Sequence, residues 1–288
     1  MSSIPDVQDL RPDVPIPINR VGFKNIRIPT GRIILNGLEI ILVPKFNIFI
    51  DLPRDKRGIH ASRIYGVILE IVKEFSGEKV KLEEVGEEIA RRLLSVHPYS
   101  SKVYIDIESP AYYKSESPVT KSVSYEHFKI HVRIIAHREL ATVKYVGVEV
   151  EGLTACPCAR EVVKSSFHGI DTTHMQRSRA RVFLQVPRDF EVDLIQLLEI
   201  VKSSFSSPLH SYLKRIDEAR IVVDALKNSK FVEDTLREIV KKIVDKWSDL
   251  PDESKILACV QSKESLHSQD IAAKINVRIG DLKKLLDM

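Results

Sequence analysis

The chain has 288 residues, 43% of them apolar and 29% charged, with a formal net charge of +4 at neutral pH. That length fits two modules of ordinary size or one large domain, and the apolar share is ample for a core. The charge is too mild, and too free of basic blocks, for a nucleic-acid binder, but it suits an anionic small substrate. Three cysteines, an odd number, argue against a disulfide scaffold and for a reducing, cytoplasmic setting. The opening MSSIPDVQDLRPD is polar and acidic, without the apolar core of a signal peptide, and no later run is long enough to span a membrane.

Residues Met1 to Asn19 are rich in Pro and polar side chains and are expected to form an extended arm. Val21–Pro29 alternates and reads as a strand. Leu38–Leu52 reads as one bent strand or two, with Pro44 marking a bulge or edge. The next stretch carries Arg54, Lys56, Arg57, His60 and Arg63 around Gly58, and leads into a helix with Ile64, Val67, Ile68 and Ile71 on one face. A basic loop at a helix N-terminus suits an anion, because free N–H groups and the helix dipole both favour it. On residues alone the plainer reading, a solvated loop, is preferred. A second helix is expected over Lys81–Val96, with Val85, Ile89, Leu93 and Leu94 inward. Strands follow at Lys102–Ile107 and Ser122–His137. The latter has Val123, Tyr125, Phe128, Ile130, Val132 and Ile134 as apolar positions, with a slip near Glu126. Its histidines, His127, His131 and His137, read as exposed.

Two further strand-like runs, Val143–Gly152 and Ala180–Val186, flank the stretch GLTACPCAREVVKSSFHGIDTTHMQRSR. A free Cys is usually a small buried hydrophobe, and a lone His is usually a hydrogen-bonded structural residue. Here Cys156, Cys158, His168 and His174 fall together, which points to a metal site with nearby acid–base chemistry. A disulfide between Cys156 and Cys158 would close a very small ring of poor geometry. Two thiols on one ion at that spacing would also be strained, so one thiolate on a metal and one thiol free for proton transfer is expected. Helices are expected over Glu191–Phe205 and Phe231–Trp247, and strands over Ser254–Gln261 and Ile271–Val277. Cys259, inside an apolar strand, reads as core. Three segments look chemically charged beyond packing needs: Asp217 and Glu218, Glu233 and Asp234, and ESLHSQD with His267. Acidic residues in a first helical turn are also ordinary capping.

Both halves therefore read strand, strand, helix, helix, strand, strand. That grammar predicts an α+β protein of tandem modules, residues 1–139 and 140–288, each an antiparallel sheet with helices on one face.

The motifs ACPCA (Ala155–Ala159), THMQRSRA (Thr173–Ala180), KRIDEARIV (Lys214–Val222) and NSKFVED (Asn228–Asp234) occur in this order, with RGIHASR (Arg57–Arg63) and DVQDLRPD from Asp6. Together they span nearly the whole chain. This set resembles the prokaryotic GTP cyclohydrolases of type IB and their archaeal methanopterin-pathway relatives. The resemblance implies a tunnelling fold with two units per chain, assembled into a homo-oligomer (dimer or tetramer). It implies GTP as substrate and a divalent metal, Fe(II) first, with Mn(II) or Zn(II) as alternatives. It makes Cys156, His174 and Glu218 the metal ligands, with His267 a further candidate. Cys158 becomes the proton donor or acceptor and Glu233 the carboxylate that clamps guanine, both catalytic together with His267. His60, Ser62, Arg63, Gln176, Arg177 and Arg179 become candidates for the triphosphate. Gln269 stands where a second His is common in the family, and His168 is a rival to His174. The implied product is a 7,8-dihydroneopterin phosphate, either the 2′,3′-cyclic phosphate or the triphosphate. Competing expectations are a structural-zinc protein, a metal-free nitrile reductase with a nucleophilic Cys, and a GTP-binding regulator.

Overall fold

In the computed structural model, which describes residues 6–286, alternating burial marks the strands and one-sided burial marks the helices. After a short 3-10 turn at Val7–Asp9, the chain runs β1 (Ile18–Arg27), β2 (Gly31–Leu35), β3 (Leu38–Leu42), β4 (Lys45–Leu52), α1 (Ala61–Phe75), α2 (Leu82–Val96), β5 (Lys102–Glu116) and β6 (Val123–His137). It continues with β7 (Val143–Ala155), α3 (Pro157–Ser166), β8 (Met175–Val186), α4 (Leu194–Lys202), β9 (Ser207–Pro208), α5 (Arg215–Lys227), α6 (Val232–Lys246), β10 (Lys255–Ser262), β11 (Ile271–Arg278) and α7 (Ile279–Leu285). The first five residues of the expected arm lie outside the described residues. Two compact units divide the chain, and each draws on more than one segment.

The first unit contains the described residues up to Ile34 with Glu39–Pro110 and His131–Val146. Its strand order is β1-β4-β5-β6, with β1–β4 and β4–β5 antiparallel. α1 buries Ile64, Val67, Ile68 and Ile71, the face the periodicity marks. α2 buries Val85, Ile89 and Leu93 and packs on the sheet through Gly86, where a Cβ would come within 2.9 Å of Ile134. The tight β2–β3 turn uses Asn36 and Gly37 at φ 47 and 79, as a two-residue hairpin requires.

The second unit holds Leu35–Leu38, Ala111–Ile130 and the chain from Gly147 onward. Its order is β7-β8-β10-β11, with β9 against β7. α6 packs on β10 and β11 through Leu236, Ile239, Val240 and Ile243. Two modules of the expected strand–strand–helix–helix–strand–strand grammar are present, with α3, α5, α7 and the β2–β3 hairpin added.

Several local expectations need correction. β5 continues past Ile107 to Glu116, because Ser109, Ala111 and Tyr113 keep the inward phase; small residues and Pro110 masked the signal. β6 has no slip. Its inward positions include Ser124 and Glu126, while Val123 and Tyr125 are exposed. Glu126 is tolerable inside because Ser124 Oγ, Ser211 N–H and Ser211 Oγ donate to it at 2.6, 2.7 and 2.6 Å. Burial works to raise its pKa, but those bonds outweigh it and hold the carboxyl below the ordinary range. His131 is buried rather than exposed. Cys259 is half-buried on the face opposite Ile256, Ala258 and Val260, so it is not core.

In the second unit, Gly152 lies against Phe205, and a Cβ at 152 would come within 2.3 Å of that ring. Phe205 is 1% exposed. Phe205→Ala is expected to cost about 3–5 kcal/mol of stability, the range for emptying a fully buried aromatic site, read as a fall in the urea midpoint.

Candidate functional site

A cavity of about 400 Å3 opens in the second unit, between the start of β8, the start of α6 and the β10–β11 loop. Its wall includes Cys156, His174, Gln176, Glu233, Glu264 and His267. Hydrogen bonds fix how these groups meet. Cys156 is the N-cap of α3, with Pro157 at the first helical position, where a missing N–H is harmless. Its sulfur accepts the Ala159 N–H at 3.4 Å. Its own N–H donates to the His174 carbonyl at 3.2 Å, and Thr173 Oγ1 donates to the Cys156 carbonyl at 2.6 Å. The segments bearing the thiol and the imidazole are thereby stitched together, although 17 residues separate Thr173 from Cys156. His174 Nδ1 lies 3.0 Å from Ser265 Oγ, which leaves Nε2 as the ring nitrogen open to a ligand. Lys230 N–H donates to the Ala155 carbonyl at 3.0 Å, bringing the start of α6 to the same place.

Two helix starts share one arrangement. At α6, Asp234 accepts the Phe231 N–H at 3.2 Å and pairs with Arg237. Capping therefore falls to Asp234, and Glu233 makes no hydrogen bond or ion pair among the described residues while lining the cavity. At α5, Asp217 is fully buried and accepts from Val119 N–H at 2.8 Å, Thr120 N–H at 2.9 Å, Thr120 Oγ1 at 2.6 Å and Lys214 N–H at 3.3 Å. Burial pushes the Asp217 carboxyl upward, but these bonds prevail and hold it well below the usual range. Glu218, next to it, is exposed and has no side-chain partner among the described residues. In both places the Asp does structural work and the neighbouring Glu stays free.

The other nominated residues separate. Glu218 does not line the cavity. Cys158 is exposed on the first turn of α3. Two residues along a helix turn the side chain by about 200°, so it leaves the wall that Cys156 lines. His168 is exposed in the loop after α3, which favours His174 over it. Gln269 joins His267 on the wall. Gln176 and Arg177 part company because side chains alternate across a strand. Gln176 faces the cavity, while Arg177 and Arg179 face a second depression with Glu149, Glu151 and Lys129. There, Arg179 donates to Glu151 at 3.0 Å.

His60, Ser62 and Arg63 start α1 in the first unit. The loop before them is not simply solvated. Arg57 N–H donates to the Gln8 and Leu10 carbonyls at 3.1 and 2.8 Å. Lys56 reaches Asp9 at 2.7 Å, and His60 Nε2 lies 3.0 Å from Asp6. Asp6, Asp9 and His60 form the one close group of three ligand atoms found among the described residues. Lys56 already pairs with Asp9 there, so the group reads as a charge-paired strap.

Glu264, the first residue of the charged ESLHSQD segment, and Lys230 also line the cavity, neither of them among the candidates the sequence offers. Lys230 is committed to Glu238, at 2.5 Å, and to the Ser204 carbonyl, at 3.1 Å, a tie no local pattern announces. A cavity with a thiol, an imidazole bearing an open nitrogen and three carboxylates, Glu233, Glu264 and Asp270, offers the mixed S/N/O donors that suit a borderline divalent metal.

A model of the family described as type I GTP cyclohydrolase folE2 matches residues 4–273. The GTP cyclohydrolase MptA of Methanocaldococcus jannaschii is 36% identical, covering 98% of this chain and 97% of its own length. That of Methanobrevibacter smithii is 34% identical, covering 98% of each. Among solved structures, uricase from Arthrobacter globiformis superposes with a TM-score of 0.56 at 7% identity, over 90% of this chain and 93% of that one. A uricase from Bacillus fastidious gives 0.52 at 9%, over 92% and 95%. These likenesses show the tunnelling fold.

If Glu233 is held for a ligand and Asp234 for the helix, their alanine variants should separate. Glu233→Ala is expected to change stability by less than about 0.5 kcal/mol, and Asp234→Ala to lower it by about 1 kcal/mol through loss of the cap, both read from urea unfolding.

Proposed function

Because the chain belongs to the type I GTP cyclohydrolase family, we propose that it opens the imidazole ring of GTP at C8 in a metal-dependent reaction, releasing formate and forming 7,8-dihydroneopterin 2′,3′-cyclic phosphate for a methanopterin-type pathway. The observation that carries this reading is the cavity wall where Cys156 and His174 stand with Glu233, a carboxylate with no side-chain partner among the described residues.

Cys156 and His174 are the residues suited to hold the metal, with Fe(II) first and Mn(II) or Zn(II) as alternatives. When bound, a divalent ion supplies an activated water near neutral pH, which C8 of guanine needs because it is a poor electrophile. Glu233 orients the base: two carboxylate oxygens match N1–H and one hydrogen of the 2-amino group, a bidentate charge-assisted contact. Adenine lacks those donors, so the contact discriminates. His267, which lines the same cavity, is our candidate to protonate the purine nitrogen on which charge builds as C8 is attacked. Cys158 keeps a proton-transfer role in this reading only if its turn of α3 moves toward the cavity. Arg177, Arg179, His60, Ser62 and Arg63 remain candidates for the phosphates.

We also read the enzyme as a homo-oligomer, a dimer or tetramer. Glu218 supports this, since it is free and exposed beside the exposed apolar residues Ile216 and Val222 of α5. It would then complete a neighbour's metal site.

The test is anaerobic incubation of the metal-stripped protein with GTP, with and without Fe(II), Mn(II) or Zn(II), following formate and the pterin by mass spectrometry. Metal-dependent formate is expected, with the product mass of the cyclic phosphate; the triphosphate mass would assign the alternative product. Intact GTP under every metal would contradict the reading. Cys156→Ala should lose bound metal and turnover, and Glu233→Gln should weaken GTP binding roughly 10–100-fold. Cys158→Ala that keeps metal but loses turnover would give the thiol the proton; full activity would leave it to His267.

A further inference from the structure

Gln176 carries an anomaly at the cavity wall. Its Oε1 is buried from solvent and has no hydrogen-bond partner among the described residues. Buried amide oxygens are almost always satisfied, so an exception calls for a reason. The amide orientation is settled by its other end: Nε2 donates to Glu264 Oε1 at 3.3 Å. Turning the amide over would set an oxygen against a carboxylate, two acceptors face to face. The unpartnered atom is therefore an acceptor, carried by a residue of the wall that also holds Cys156, His174 and Glu233.

A ligand that completes this site must bring an N–H or O–H donor beyond those Glu233 can take. The guanine edge has three hydrogens to give, one on N1 and two on the 2-amino group. A carboxylate gripping that edge takes N1–H and one amino hydrogen, leaving the second amino hydrogen without an acceptor. Among the described cavity residues, Gln176 Oε1 is the buried side-chain acceptor left over. Lys230 is a donor and is already occupied by Glu238 and the Ser204 carbonyl.

We infer that Gln176 is a specificity-determining contact to the purine, its amide oxygen accepting the second hydrogen of the 2-amino group. This rests on the GTP reading above and moves Gln176 from the phosphates to the base. It makes the cavity a reader of the 2-amino group through two acceptors, Glu233 and Gln176, so hypoxanthine nucleotides are rejected twice over.

The experiment compares formate release from GTP and from ITP, which lacks the 2-amino group, by the metal-loaded full chain. The GTP/ITP ratio of kcat/KM is independent of the fraction of protein that is active, so partial misfolding of a variant does not distort it. Gln176→Met, nearly isosteric and without an acceptor, is expected to lower that ratio about tenfold, the worth of one hydrogen bond. Gln176→Glu keeps an acceptor and is expected to retain most of the ratio even if both rates fall. A ratio unmoved in Gln176→Met, or equally reduced in Gln176→Glu, overturns the assignment while leaving the GTP reading intact. Wild-type protein that releases no formate from GTP overturns the GTP reading, and this contact with it.

Discussion

The site depends on the backbone around Cys156. One N–H to the His174 carbonyl, one Thr173 hydroxyl to the Cys156 carbonyl, and the Lys230 N–H to the Ala155 carbonyl bring three distant segments to one point. Each bond is individually modest, about 1 kcal/mol net. Their importance is geometric. β7 ends, α3 begins and α6 approaches within a few residues, and the thiol occupies the N-cap position where the helix leaves its first N–H groups unsatisfied. A sulfur that accepts one of those N–H groups is held in direction, which a metal ligand needs more than affinity.

The pairing of a structural Asp with a free Glu at both α5 and α6 follows from helix-terminus chemistry. The third residue of a helix can reach back to the N-cap N–H, and Asp217 and Asp234 both do so. Their neighbours Glu218 and Glu233 point elsewhere and keep unspent charge. Adjacent acids at a helix start look redundant in a sequence, but here the two positions have separate work. Asp217 also anchors the turn between β5 and β6 to α5, so its removal would disturb more than a helix end.

Much of the architecture was legible because its signals are periodic. The faces of α1, α2 and α6 and the alternation of β4, β10 and β11 follow from apolar spacing alone, and the motifs named the family. What periodicity could not show depended on polar residues. α3 and α5 lack a clean apolar stripe: α3 buries no residue and α5 buries Asp217, Ile221 and Ala225. β6 hides inward Ser124 and Glu126, made tolerable by the Ser124 hydroxyl and by the N–H and hydroxyl of Ser211, 85 positions from Glu126. Arg177 was grouped with Gln176 by adjacency in the motif, and the strand pleat then sent the two side chains to opposite faces. Cys158 left the wall for the helical version of the same reason.

One sulfur, from Cys156, and one imidazole, from His174, are proposed to hold the metal at this cavity. X-ray absorption at the metal edge of the loaded protein tests it most directly. The expected spectrum has a single sulfur scatterer at about 2.3 Å with the remaining shell nitrogen and oxygen at about 2.0–2.2 Å, and the sulfur is lost in Cys156→Ser. A first shell with no sulfur, or with two, would contradict it.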